Sequence, residues 1–321
     1  MLQTVLVTDH AWPDLSIERA VLESAGLEVV AGPSAPAPRE AIERLVAEHQ
    51  PAAIMTCWAQ VSAAAIGASP SLAIVARLGV GLDNIDVAEA TRRGIWVTNV
   101  PDYCVEEVSD HAVGMLLAWA RGLVAFDRAA KRGEWRPAGA RLRRVSTLTC
   151  GLIGYGRIGR RTAQKLAPFG TRVLACVARP RTGDGLAQLV RLEELLARSD
   201  VIIVHAPLAP DTHHLLNRER LAGVKAGAFL INVSRGAIVE TQALVEALDR
   251  GQLSGAALDV LEREPADPVL AARQDLIITP HVAFSSDASL AELRRRAAEE
   301  VVRVLRGERP LEARNVPENV R

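Results

Sequence analysis

Residues 145–181 decide the fold that this sequence predicts. A short apolar run leads into the turn Gly154-Tyr155-Gly156-Arg157-Ile158-Gly159, and Gly170 ends the helical segment that follows. A second apolar run, residues 172–177, completes the pattern of a βαβ unit. The first two glycines permit a tight turn and a close approach to a pyrophosphate, and the third lets the helix pack on the strand. A turn without a ligand is the alternative, but the complete unit favours dinucleotide binding at the helix start.

The end of the second strand predicts which dinucleotide binds. An acid at this place usually accepts hydrogen bonds from the adenosine ribose, but here Val177 stands eighteen residues after Gly159. Arg179 and Arg181 follow, and guanidinium groups match the oxygens of a 2′-phosphate. The sequence therefore favours NADP over NAD. The alternative is that both arginines are solvated and that NAD binds without its acid.

Composition limits the class of protein. The chain has 321 residues, enough for two domains, and its 38 basic and 38 acidic residues give no net charge. The charge balance gives no indication of a nucleic acid or an anionic membrane as partner. No apolar run approaches the roughly 20 residues that span a bilayer, and residues 4–8 predict a strand and not a signal peptide. The four scattered cysteines predict reduced thiols in the cytoplasm.

Residues 1–100 predict a second α/β domain, of another kind. Strand-like runs alternate with amphipathic segments and indicate a parallel sheet covered on both faces; they are residues 4–8, 27–31, 52–56, 72–78 and 95–99. The loop of residues 77–86 follows a strand directly, where such sheets bind ligands, and its glycines would expose N–H groups to an anion. A turn in which Asp83 or Asn84 caps a helix explains the loop equally well.

Residues 105–123 predict a long helix that is apolar nearly all round. Such a helix must be buried between domains or between subunits, and it favours a dimer. The α/β alternation resumes after the glycine-rich unit, with strands at residues 201–205, 228–233, 256–260 and 276–279 and a helix at residues 286–306. His213 and His214 are adjacent, but no carboxylate or cysteine is spaced with them, so we predict no metal site.

Three charged residues follow three consecutive strands closely: Arg235, Glu264 and His281. The carboxyl ends of parallel strands open into one crevice, which also holds the glycine-rich turn. Singly, each residue has a structural explanation, as a surface arginine, a helix cap or a loop histidine. Together they suit hydride transfer to or from a small hydroxy or keto acid. The histidine would exchange the proton, the carboxylate would fix its tautomer and favour its protonated form, and the arginine would bind the substrate carboxylate.

The sequence resembles the D-isomer-specific 2-hydroxyacid dehydrogenase family over nearly its whole length. The motifs that carry the resemblance are the glycine-rich turn and residues 232–236, 258–260, 264–265 and 279–281. Within the family it is most similar to the C-terminal-binding-protein-like branch, through residues 81–86 and 99–104. Two departures are Val177, in place of the usual acid, and Phe284, where the co-repressor members carry a tryptophan.

The resemblance implies two doubly wound parallel sheets. Residues 1–100 and 286–321 would form a flavodoxin-like substrate (catalytic) domain, and residues 101–285 an inserted Rossmann dinucleotide-binding domain. The helix at residues 105–123 would belong to a dimer arm. Arg235 would anchor the substrate, Glu264 would partner the histidine, and His281 would be the general acid/base. Val80 and Gly81 would bind the substrate carboxylate through N–H groups. Further cofactor contacts would come from Ser109, Arg157, Ile158, Ala206, Pro207, Thr212, Val233, Arg235 and Asp259.

These observations lead to one principal hypothesis and two alternatives. We expect a cytoplasmic NAD(P)-dependent oxidoreductase, NADP-preferring, that interconverts a small 2-keto acid and a D-2-hydroxy acid. Another small acid, such as a hydroxy-phosphonate or phosphite, would satisfy the same arginine, and the family includes a phosphite-oxidising member. A dinucleotide-sensing scaffold like the co-repressors is the second alternative, since those proteins can keep the three charged residues.

Overall fold

The computed structural model describes residues 2–10, 12–136, 142–179 and 182–318, in which strands and helices alternate. The strands are β1 (Thr4–Val7), β2 (Glu28–Ala31), β3 (Ala53–Thr56), β4 (Ile74–Arg77), β5 (Trp96–Thr98), β6 (Thr149–Ile153), β7 (Arg172–Cys176), β8 (Gln188–Leu189), β9 (Val201–Val204), β10 (Ala228–Asn232), β11 (Leu253–Leu258) and β12 (Leu276–Ile278). The helices are α1 (Ser16–Ser24), α2 (Arg39–His49), α3 (Ala63–Ala68), α4 (Val87–Arg92), α5 (Val105–Ala120), α6 (Leu123–Lys131), α7 (Arg157–Leu166), α8 (Leu192–Arg198), α9 (Arg218–Ala222), α10 (Thr241–Asp249), α11 (Pro268–Ala272) and α12 (Asp287–Leu305).

Contacts between Cα atoms divide the chain into two compact units. The first unit comprises Met1–Tyr103 and Ser286–Arg321, and the second comprises Cys104–Ser285. Each unit has a hydrophobic core of its own, around Leu6 and Ile54 in the first and around Ile202 and Leu230 in the second. The roles of the two units as substrate domain and dinucleotide domain stay predictions.

The sheet of the first unit has the strand order β2-β1-β3-β4-β5, and every described pair in it is parallel. This is the doubly wound order of flavodoxin-like domains. The terminal helix α12 belongs to this unit because it packs against α1. Arg294 on α12 donates from Nη2 to Oε2 of the fully buried Glu18 at 2.7 Å, so charge pairing and packing both hold the chain terminus in the unit.

The sheet of the second unit has the order β12-β11-β10-β9-β6-β7-β8 and is also parallel throughout its described pairs. Renumbered within the unit, this is the Rossmann order with one more strand added at an edge. The prediction of two doubly wound parallel-sheet domains, one flavodoxin-like and one Rossmann, is therefore confirmed. The two-residue β8 was not predicted, because so short a strand leaves no periodic pattern.

The helix predicted at residues 105–123 differs from the expectation. It ends at Ala120, because Gly122 adopts the left-handed conformation with φ of 64°, and α6 begins directly afterwards. It is also not apolar all round: one face, which includes Val108, Ala112 and Leu116, is buried, whereas Glu106 and Asp110 are exposed. Its buried face packs against α7 and β10 within the second unit. Among the helices of the described ranges, we find none with the length and apolarity that crossing a bilayer requires.

Candidate functional site

The side chains of Arg235, Glu264 and His281 lie beyond the carboxyl ends of β10, β11 and β12. These strands are neighbours in the sheet and run parallel, so their carboxyl ends lie at one edge. Nδ1 of His281 lies 3.2 Å from Oε2 of Glu264. The charge of Arg235 acts on the same carboxylate. The three residues that were predicted from the sequence to meet at this edge are thus close together.

Asp259 fixes the chain segment that follows β12. Its carboxylate is only 2% exposed and accepts three hydrogen bonds, from the Thr279 hydroxyl at 2.5 Å and from the N–H groups of Val282 and Ala283 at 3.0 and 2.9 Å. Its main-chain carbonyl accepts the N–H of His281 at 2.8 Å. The residues on both sides of His281 are therefore held by one buried acid. The predicted contact of Asp259 with the cofactor stays a prediction.

The backbone of His281 adopts φ of 54°, a left-handed conformation that a residue other than glycine adopts only when its surroundings stabilise it. The hydrogen bonds to and beside Asp259 supply that stabilisation. The ring of Phe284 approaches the imidazole edge-on, with 6.3 Å between the centroids. The contact of Nδ1 with Glu264 orients the imidazole ring.

The electrostatics of Glu264 favour an ionised partner for the imidazole. Burial raises the pKa of Glu264, but the hydrogen bond and charge of His281, the Leu261 N–H and the charge of Arg235 together bring it below its ordinary value. The Leu261 N–H donates to Oε1 at 3.1 Å, so each carboxylate oxygen has a donor. Glu264 is therefore an acceptor at neutral pH and can stabilise a protonated imidazole.

Asn232 shapes the turn that carries Arg235. Its side chain is 1% exposed, donates to the Arg235 carbonyl at 2.9 Å and accepts the Ser234 N–H at 3.1 Å. The Ser234 hydroxyl in turn donates to the Ala206 carbonyl at 2.5 Å, which ties the turn to the end of β9. Arg235 donates from Nη1 to the Ser234 carbonyl at 2.8 Å. The guanidinium is thus placed by a rigid turn.

The glycine-rich turn fits a pyrophosphate. Gly154 has φ of 96°, and a Cβ there would lie 2.6 Å from the Ala206 nitrogen, so no other residue fits. A Cβ on Gly159 would lie 2.3 Å from the Gly154 carbonyl oxygen, which shows how closely helix and turn pack. A Cβ on Gly156 would meet nothing within 4 Å, and no side chain caps the start of α7. The N–H groups at that helix start are therefore open to an anion.

His205 connects β9 to the helix that begins at this turn, a role that was not predicted from the sequence. Its Nε2 lies 3.0 Å from the Thr162 hydroxyl on α7, and its N–H donates to the Ile153 carbonyl at 2.7 Å. Burial lowers the pKa of His205 to about 4, so the imidazole is neutral near pH 7. The pair joins β9 to the helix that begins at the turn.

The loop after β7 carries the residues of the NADP prediction. Val177 is partly buried and Arg179 is exposed, whereas Arg181 lies outside the described residues. The Asp184 carboxylate accepts the Tyr155 hydroxyl at 2.9 Å and lies 3.4 Å from Nε of Arg160. This acid is therefore engaged by the glycine-rich turn and by α7.

The remaining predicted cofactor residues lie at several places in the second unit. The Thr212 hydroxyl donates to the Pro207 carbonyl at 2.7 Å and closes the turn after β9, where Ala206 also lies. The Ser109 hydroxyl donates to the Val105 carbonyl within its own helix, and its contact with the cofactor stays a prediction. Arg157 and Ile158 open α7, and Val233 directly follows β10. Within the described ranges, no three His, Cys, Asp or Glu side chains are grouped as metal ligands.

In the first unit, hydrogen bonds to its carbonyl groups hold the loop that contains Val80 and Gly81. Arg77 donates from Nε to the Gly81 carbonyl at 3.0 Å, and Asn99 donates to the Val80 carbonyl at 2.5 Å. The carbonyl of Gly79 accepts a backbone N–H at 3.1 Å. Because C=O and N–H point oppositely in a trans peptide, the Val80 N–H points away from the donor to the Gly79 carbonyl, and the Gly81 N–H points away from Asn99. This arrangement can bind an anion. The hydrogen bonds of Arg77 and Asn99 were not predicted from the sequence.

The neighbouring loop after β3 is held in a similar way by Asp9. This fully buried carboxylate accepts the N–H groups of Cys57, Trp58 and Ala59 at 3.0, 2.7 and 3.1 Å. Asn84 donates to the Ala59 carbonyl at 2.9 Å from the other side. Both loops at the carboxyl edge of the first sheet are therefore fixed by buried polar groups. These groups form no recognisable sequence motif.

Comparisons with known proteins show which family this chain is similar to. Residues 113–283 match the family model described as D-isomer specific 2-hydroxyacid dehydrogenase, NAD binding domain. The chain is 36% identical to a glyoxylate reductase of Thermofilum pendens over 261 residues, which cover 78% of this chain and 77% of that protein. The TT0316 protein of Thermus thermophilus has a crystal structure with a TM-score of 0.89 and 35% identity, covering 97% of this chain and 100% of the other. The D-lactate dehydrogenase of Aquifex aeolicus, solved with NAD and lactic acid, gives a TM-score of 0.85 at 28% identity and covers 98% and 100%.

We predict that Gly156→Ala abolishes dinucleotide binding and leaves stability unchanged. The added methyl group meets no protein atom, but it occupies the space that a pyrophosphate needs. Titration of NADH and NADPH by fluorescence and thermal unfolding would measure the two effects. In the control, Gly159→Ala, the methyl group collides with the Gly154 carbonyl, and both binding and stability should fall. Unchanged affinity in Gly156→Ala would contradict the assignment of the turn.

Proposed function

Because the chain belongs to the D-isomer specific 2-hydroxyacid dehydrogenase family and is an NAD(P)-dependent oxidoreductase, we propose that it interconverts a small 2-keto acid and the corresponding D-2-hydroxy acid. The observation that carries the proposal is the contact of His281 with Glu264 beside Arg235, at the sheet edge where β10, β11 and β12 end. The family resemblance in the sequence is thereby confirmed, and membership of the C-terminal-binding-protein-like branch stays a prediction.

In this proposal His281 moves the proton. Its Nε2 donates to the keto oxygen during reduction and accepts the hydroxyl proton during oxidation. The Glu264 carboxylate holds Nδ1 and stabilises the protonated ring, and its own lowered pKa keeps it ionised in both directions. The Arg235 guanidinium binds the substrate carboxylate and polarises the reacting oxygen. The bound nicotinamide supplies or accepts the hydride.

The substrate carboxylate would also bind the N–H groups of Val80 and Gly81. The bonds from the Val100 N–H to the Gly79 carbonyl and from Asn99 to the Val80 carbonyl support this assignment, because they orient the two peptides that carry these N–H groups. The relatives named glyoxylate reductase support a substrate as small as glyoxylate.

We favour NADP as the cofactor. Val177 offers no carboxylate to the adenosine ribose, and Arg179 is exposed directly after it. Asp184, further along the chain after β7, is engaged by Tyr155 and Arg160. An exposed guanidinium suits a 2′-phosphate better than a ribose hydroxyl.

A homodimer accounts for the exposed apolar side chains around α6. No residue of α6 is buried, and Leu123 at its start is 58% exposed. Trp135, shortly after the helix, is 86% exposed. A second copy of the chain would cover this surface, which continues from α5 and so includes part of residues 105–123.

We expect turnover of glyoxylate or another small 2-keto acid with NADPH, and loss of turnover by about 10²- to 10⁴-fold in His281→Ala, since the proton donor is removed. Steady-state kinetics on a panel of keto acids and a fluorescence titration of cofactor would measure both, with cofactor binding retained. His49→Ala on α2 is the control and should keep full activity. Retained turnover in His281→Ala would exclude the proton-transfer role. Complete inactivity of the wild type on the panel would favour the scaffold alternative.

The cofactor preference predicts unequal effects of one substitution. Arg179→Ala, alone and together with Arg181→Ala, should raise KM for NADPH about 10-fold or more and leave KM for NADH nearly unchanged, since a charge-assisted hydrogen bond to phosphate is lost. Arg191→Ala, at an arginine that is 90% exposed in the same unit, is the control. Equal effects on the two cofactors would end the argument for NADP.

The dimer proposal predicts a mass of twice 34.4 kDa by light scattering coupled to size exclusion. Leu123→Glu places a charge in the apolar surface and should shift the protein to monomer. Val269→Glu, at a valine on α11 that is even more exposed than Leu123, should leave the mass unchanged. A wild-type protein that runs as a monomer would rule out the interface.

A further inference from the structure

Two glutamates lie on the loop that follows β11, and only one of them faces His281. Glu262, two residues before Glu264, points to the opposite side of the loop. Its Oε1 lies 2.5 Å from Nε2 of His214, and its Oε2 accepts the Thr241 N–H at 2.7 Å. The function proposed above gives Glu262 no role.

The two partners of Glu262 are themselves fixed in the unit. Thr241 is the first residue of α10, and no side chain of the helix's own cap position bonds to its N–H groups. The Glu262 carboxylate therefore satisfies a free N–H at a positively polarised helix end. His214 has φ of 50°, and its N–H donates to the Ala237 carbonyl at 2.8 Å. Its ring lies against that of His213, with 4.0 Å between centroids.

The same loop is in direct backbone contact with the turn that follows Arg235. A Cβ on Gly236 would lie 1.9 Å from the carbonyl carbon of Leu261, so only glycine allows the two segments to touch. Leu261 also donates its N–H to Glu264. The position of Glu264 thus depends on a short loop that is held by Gly236 on one side and by Glu262 on the other.

Glu264 itself has little else to hold it. Its side chain is 43% exposed, and its described hydrogen bonds are those with His281 and with Leu261 of its own loop. An exposed side chain on a loop keeps one orientation only if the backbone beneath it is rigid. The contacts of Glu262, two residues before Glu264 in the chain, supply that rigidity.

We propose that Glu262 and His214 are positioning residues for the reaction, because they hold the loop from which Glu264 contacts His281. This inference rests on the proposed function. The charged groups that face the Glu264 carboxylate are His281 and Arg235, and those that face Glu262 are His214 and the start of α10. Loss of the Glu262 contacts lets Glu264 leave the imidazole, so the protonated ring loses its stabilising charge.

The test compares pH profiles of keto acid reduction by the full chain with NADPH. In Glu262→Ala, kcat should fall about 10-fold while KM for NADPH stays unchanged. The alkaline limb of the pH profile of kcat/KM should shift to lower pH by about 1 unit. Glu262→Gln keeps an acceptor for the Thr241 N–H and a donor for His214, and should restore most of the activity. The control is Asn217→Ala, which removes the cap of α9 in the same unit and costs similar stability.

Different results would reject the proposed function and the role of Glu262. An inactive wild type would overturn the proposed function. An active wild type with an unchanged kcat and alkaline limb in Glu262→Ala would overturn only the role of Glu262, as would an equal loss in Asn217→Ala. If Glu262→Ala does not fold, His214→Ala keeps the carboxylate on α10 and should show the same shift of the limb in smaller measure; no shift there would also reject the proposal.

Discussion

The buried carboxylate of Asp259 is the group on which the candidate site depends. It lies at the end of β11 and accepts bonds from the Thr279 hydroxyl and from two consecutive N–H groups after His281. The Asp259 N–H donates to the Asn232 carbonyl at 2.9 Å, which links β11 to β10 as well. One residue thus connects the carboxyl ends of three strands. A carboxyl group can be buried in this way because it is well supplied with hydrogen-bond donors.

The two acids near His281 differ in burial and in the groups that they contact. Asp259 is almost fully buried and holds the backbone, whereas Glu264 is partly exposed and meets the ring. His111 on α5 extends the buried network, since its Nε2 lies 3.0 Å from the Thr279 hydroxyl and 3.6 Å from Asp259. The helix before the glycine-rich unit is therefore connected to the residues that orient the imidazole, although His111 is isolated in the sequence.

Buried polar side chains also hold backbone groups of the loops in the first unit. Asp9 binds three successive N–H groups of the loop after β3, and Arg77 and Asn99 bind the carbonyls of the loop after β4. Because side chains fill the inner hydrogen-bonding positions, the outward groups of each loop keep one direction. Such preorganisation lowers the cost of ordering a loop when a small anion binds.

The sequence by itself determined the fold class, the dinucleotide turn and the family. Each rests on a local pattern: short apolar runs that alternate with helical segments, glycines at fixed spacing, and charged residues directly after strands. It also indicated that Arg235, Glu264 and His281 would meet, because parallel strands end at a common edge. Their catalytic roles stay predictions.

Only the tertiary structure decided what surrounds those residues. The prediction that α5 is apolar nearly all round was wrong, because α7 and β10 cover one face of this helix only. The partners of Asp9, Arg77, Glu262 and His214 are distant in sequence or lie in irregular turns, where no period marks them. A hydrogen bond between such groups depends on ångström distances between elements, and these distances follow from packing and not from residue order.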